Sequence, residues 1–208
     1  MMDVKDIEAL FTRSDDTYLC ARWGRPIVPV VFGVEDETIG VIKGAFEAIC
    51  VLSGHQMAET DPELGVNLMM FFCRDWDELT QVPKLDALVP ELATLVGRLI
   101  KADANQYRIF RFDEGGAIRA CFIFLRMDEN LSAVPADTLA LSQAVQSIVL
   151  WSDAAFTDAS PLALVEGRAV LRPDIAGVIR AVYDPVMPLV AHDATHALRV
   201  AARLETLQ

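Results

Sequence analysis

His192 and His196 are the residues whose types and spacing come nearest to a known chemistry. They lie four apart in the stretch HDATH (192–196) and are two of the three histidines in the chain. Two histidines at that spacing on a helix face the same way and can bind zinc. In a zinc peptidase the residue after the first is a glutamate that polarises the attacking water. Here that residue is Asp193, one methylene shorter, which would reach less far toward a metal-bound water. Zinc also needs a third protein ligand, and the one carboxylate after His196 is Glu205. HDATH therefore reads as the start of a closing helix over 192–207 that holds no metal, with Asp193 near its beginning suiting the helix dipole. His196→Ala is expected to leave folding nearly unchanged.

The other reactive side chains take structural readings. His55 follows Gly54 after a helix and reads as a solvated cap or loop residue. Cys20, Cys50, Cys73 and Cys121 form no CxxC pair and have apolar neighbours, so they are expected to be free, small buried hydrophobes. Cys50 is close to His55 in sequence, but it lies on the apolar face of its helix, which argues against a nucleophile. DEGG (113–116) lacks the lysine and following helix of a phosphate loop and reads as a hairpin turn. EDE (35–37) and DWDE (75–78) lack the alternating ligands of a calcium loop and read as helix caps.

The elements that would position these residues follow from periodicity. A short amphipathic helix is expected over 3–11, and a strand over 25–33 in which Pro29 cannot donate a ladder hydrogen bond and so marks an edge or a bulge. Ile39, Ile42, Phe46 and Ile49 give the stripe of a helix over 36–54 that stops at Gly54. Gly40 and Gly44 inside it suggest a close approach to the sheet. The stretch 66–73 is apolar on both faces and reads as a central strand. A leucine-striped helix over 83–102 should break or kink at Pro90. Two β-rich runs around DEGG make a hairpin over 106–126. Helices over 135–151 and 173–185 follow, with a loop (152–171) between them. The expected fold is α+β, a single domain spanning 1–208: a mixed sheet with a hairpin, helices on one side and a helical C-terminal part.

Composition narrows the partners. The net charge is −12 and the pI about 4.6, with no basic cluster, which disfavours nucleic acid and anionic membranes. Hydrophobic residues make up 53% and the mean hydropathy is +0.31, yet no apolar run reaches the ~20 residues of a membrane span. The excess points to a generous core and to self-association, most simply a homodimer. The N-terminal stretch mixes acids and bases without an apolar signal segment, so a cytoplasmic protein is expected.

Three stretches carry a family resemblance: RWGRPIVPVVFG (22–33), LSQAVQSIVLWSDAAFTD (141–158) and LRPDIAGVIRAVYDP (171–185). Together they make the chain resemble, over roughly residues 18 to 208, an uncharacterised bacterial family known as domain of unknown function 2927, placed among zincin-like folds related to zinc metallopeptidases. The Tyr-Asp-Pro at 183–185 is the most specific element. The resemblance implies a zincin-like fold. It also implies that a Glu-Glu-x-x-Gln motif, standing where a zincin has His-Glu-x-x-His, falls on Ser142, Gln143 and Gln146. The first two depart from the motif, and neither titrates near neutral pH as a general base must. Asp153 and Asp158 match the acidic turn that follows and are expected to hold their loop by bonds to its backbone. The implied function is that of a pseudoenzyme without a cofactor, acting on an unidentified protein or small-molecule partner by binding or self-association, with a cleft beside 142–146 as the place to look. The alternative is a hydrolase with an unrecognised, metal-dependent site that uses His192 and His196.

Overall fold

A computed structural model describes residues 2–206. In chain order the elements are α1 (Val4–Ala9), β1 (Cys20–Ala21), β2 (Pro29–Phe32), α2 (Asp36–Ser53), β3 (Leu68–Cys73), a 3₁₀ helix (Trp76–Gln81), α3 (Leu85–Leu88), α4 (Leu92–Lys101), β4 (Gln106–Phe112), β5 (Ile118–Arg126), α5 (Glu129–Ser132), α6 (Ala136–Ile148), β6 (Leu162–Val165), β7 (Arg168–Leu171), α7 (Pro173–Val182), β8 (Val190–Ala191) and α8 (Thr195–Thr206). The architecture is α+β. Four strands form the main sheet in the order β2-β3-β5-β4, the first three mutually parallel and β4 antiparallel to β5.

Pro29 sits on β2, an edge strand, as its missing N–H requires. The apolar stretch of β3 lies between two partners and is covered on both faces. Leu68 and Met70 point to one core with α2, α6 and α7, while Phe71 and Cys73 point to another with Trp76, Leu85, Leu92, Leu95 and Leu99. The sheet is therefore clad by helices on both faces, not on one side as the helix order suggests. The leucine stripe divides at Pro90 into α3 and α4. Leu88 is left exposed by that break. α2 ends at Gly54, which takes a left-handed φ of 69°.

Residues 152–171, expected as a loop, contain the hairpin β6–β7. Its turn places Glu166 (φ 51°) and Gly167 (φ 79°) in the left-handed region, the geometry of a two-residue hairpin. A second small ladder pairs β1 with β8 and ties the N-terminal segment to the approach of the last helix. Both ladders are only two to four residues long, too short for a periodicity to stand out.

The residues that carry the family resemblance act as stitching. Arg22 is buried and donates from Nη1 to the carbonyl of Val182 (3.0 Å) and from Nη2 to that of Met187 (2.9 Å). Trp23 donates from its indole to the carbonyl of Ser147 (2.8 Å). Tyr183 donates its hydroxyl to the carbonyl of Ile148 (2.6 Å) and accepts the Trp23 N–H (3.3 Å). These bonds close off the ends of α6 and α7, where helix carbonyls lack intrahelical partners. Their effect is to fix α6 against the sheet.

Candidate functional site

β4 and α6 meet through a chain of polar side chains. Even-numbered residues of β4 face α6, as strand alternation demands. Arg108 Nη2 donates to Gln143 Oε1 (2.8 Å) and Gln146 Oε1 (3.4 Å). Gln143 Nε2 donates to Gln106 Oε1 (3.0 Å), and Gln146 Nε2 to Ser142 Oγ (2.8 Å). The structure thus brings Ser142, Gln143 and Gln146 together. Gln143 is fully buried, and it accepts from a guanidinium that sequence reasoning did not single out. The Arg108 Nε is buried with no partner, and no carboxylate stands within ion-pair distance of the side chain among the described residues. Burial works against the guanidinium's charge and lowers its pKa.

Beside this network lies a cleft of about 620 Å³. Tyr107, Ile109 and Phe112 of the edge strand line one side, Trp151 and Phe156 the other, with Arg108 and Gln146 between them. Ser142 and Gln106 border a neighbouring cavity of about 410 Å³ across the same network. The Arg126 N–H donates to the carbonyl of Asn105 (2.8 Å), so those two form a hydrogen-bonded pair. In an antiparallel ladder such pairs alternate, and the next are Tyr107 with Phe124 and Ile109 with Phe122. The peptide groups of Arg108 and Phe110 therefore point to the free edge, where no strand pairs with β4 among the described residues.

Asp153 also lines the cleft, but its carboxylate is taken by Ser14, accepting the N–H (3.0 Å) and the hydroxyl (2.5 Å), bonds that hold its pKa below the ordinary value. It ties its loop to the N-terminal segment instead of capping the loop's own backbone. Asp158 is exposed and makes no side-chain hydrogen bond among the described residues. It lines a separate surface depression beside Arg172 and Asp174.

His192 and His196 do not share a helix face. α8 begins at Thr195, so His192 lies before it and is exposed. Asp193 forms the turn, accepting the Thr195 N–H (2.8 Å). The cause is local: a short carboxylate two residues ahead of Thr195 competes with an earlier helix start. His196 is buried, and its Nδ1 lies 2.7 Å from the Tyr18 hydroxyl. Its Nε2 is enclosed without a partner, and burial pushes the ring down to about 4. The expected helix extends to 207, which lies outside the described residues, as do the other ends of the 1–208 span, residues 1 and 208.

His55 is half-buried rather than solvated: its Nε2–H donates to the carbonyl of Arg25 (2.9 Å), and its ring leans on Tyr183. All four cysteines are free and buried. Desolvation pushes every thiol up, Cys73 to about 11 and Cys50 and Cys121 to about 12. DEGG is a hairpin turn in which Asp113 Oδ1 accepts the Gly115 and Ala117 amides (2.9 and 3.0 Å). Glu78 of DWDE accepts the Asp75 N–H (3.1 Å), and the acids of EDE occupy the start of α2. Among the described residues no three His, Cys, Asp or Glu side chains converge on one point. No described helix is long and apolar enough to cross a membrane. Comparison with protein-family models, curated proteins and solved structures finds no match to the chain.

Proposed function

We propose that the chain is a non-catalytic, zincin-like protein that works by binding, and that it takes an extended peptide along the free edge of β4. The observation that carries this reading is the network of Gln106, Arg108, Ser142, Gln143 and Gln146 at the side of the cleft. On the family resemblance, a peptidase would need a titrating base at this place. Amides, a hydroxyl and a guanidinium stand there instead, and none exchanges a proton near neutral pH.

Strand addition needs an unpaired edge, room for side chains beside it, and a deterrent to self-pairing. β4 has the edge by its place in the sheet and the room in the cleft. Arg108 and Arg111 supply the deterrent, because two copies of this strand would set like charges near one another.

Hydrogen exchange followed residue by residue tests the reading. The amides of Arg108 and Phe110 should exchange fast in the free protein, and those of Tyr107 and Ile109 slowly. Titration with a panel of capped extended peptides should slow the first two and leave the peptides uncut. Protection confined to another surface, or cleavage of any peptide, would overturn it.

A further inference from the structure

We infer that the cleft selects a peptide strand bearing a carboxylate side chain, seated against Arg108. This rests on the binding reading above and adds the chemistry of the occupant. Arg108 is a cation without an acid. One terminal nitrogen, Nη2, is spent on two neutral amide oxygens, and Nε is enclosed unpaired. Its Nη1 makes no hydrogen bond among the described residues and is not sealed from the cleft.

Acids are not scarce in this chain, which has 30 Asp and Glu against 18 Lys and Arg. Some arginines elsewhere are given them: Arg25 and Arg119 hold Glu63, Arg126 holds Asp103 and Arg172 holds Asp174, whereas the buried Arg22 has its two terminal nitrogens on backbone carbonyls and Arg108 leaves Nη1 open. Arg13, on the same cleft, likewise has no ion pair among the described residues, and the acid nearby, Asp153, is committed to Ser14. Arg108 is half-buried and its protein partners are all neutral, so its charge is only partly compensated, and a carboxylate arriving with a ligand would complete the pairing.

The sheet fixes where that carboxylate stands. In a strand added to β4, the residue opposite Arg108 points to the same face as Arg108 and so into the cleft toward α6. Trp151, Phe156 and Phe110 line the same cleft and give the apolar atoms of a bound strand a surface to cover. The open Nη1 can donate to a carboxylate as an ion pair, which a glutamine oxygen cannot form with it.

The test compares two short capped peptides of alternating valine and serine, one with a central glutamate and the other with glutamine in its place, by fluorescence anisotropy. The glutamate peptide should bind about tenfold tighter or better, and Arg108→Gln should bring the ratio to about one. Gln146→Glu, which hands Arg108 an acid from its own chain, should also abolish the difference. It carries the test should Arg108→Gln fail to fold. Equal binding of both peptides by the unmodified protein, with Arg108 and Phe110 amides protected, overturns acid selection while leaving the binding reading standing. Binding of neither peptide overturns both. If those amides are protected only as a concentration-dependent dimer, the occupant is a second copy and the inference falls.

Discussion

His196 shows how a residue's role changes once its neighbours are known. It contacts the Phe11 and Tyr18 rings and is part of the core, so its truncation leaves a void and strips Tyr18 of its partner. We predict that His196→Ala costs about 2–4 kcal/mol, read from the urea midpoint, against the near-neutral effect its sequence position suggests. Its titration adds a pH dependence. The folded ring has its pKa depressed to about 4 from an ordinary 6.5. Between those values the unfolded chain takes up a proton that the folded chain refuses. The neutral ring's contribution is complete above about pH 6.5 and is lost as the pH falls toward 4. His196→Gln should flatten the decline in stability across that window. The lowered carboxylates of Asp61, Asp153 and Asp174 act below it, since their contribution is lost only as pH falls under the ordinary value of 3.8.

At the scale of elements, glycines separate necessity from tolerance. Gly40 and Gly44 of α2 suggest a close approach in the sequence, but both are exposed, and a Cβ added to either meets nothing within 4 Å. Gly40→Ala and Gly44→Ala should each raise stability by up to about 1 kcal/mol, visible as a higher melting temperature. Gly33, between β2 and α2, has a φ of 86°, and a Cβ there would overlap the Phe72 carbonyl oxygen. Gly33→Ala should lower stability by about 2 kcal/mol or more in the same melt.

The whole molecule has two apolar cores joined by one sheet. Trp76 belongs to one, and Trp23 and Trp151 to the other, while β3 and β5 contribute side chains to both. Losing either helical layer would bare a face of strands that the other core depends on. We predict a single unfolding transition in urea, with far-ultraviolet dichroism and tryptophan fluorescence coinciding. Two separated transitions would mean that the 3₁₀–α3–α4 layer folds independently of the rest.

The sequence by itself determined what depends on near neighbours. Pro29 marked an edge, Pro90 broke a helix, Gly54 ended one, and DEGG turned a hairpin, each through backbone sterics acting over a few residues. It also placed Ser142, Gln143 and Gln146 on one helix. Only the tertiary structure decided what they face. Arg108 reaches them across 35 residues, and Asp153 finds Ser14 across 139. The side chain of Arg108 had the alternation of a strand face in QYRIFRF, but nothing local states which helix covers that face or that no acid does. A charge in a partly buried site is defined by its surroundings, and folding assembles those from distant parts of the chain.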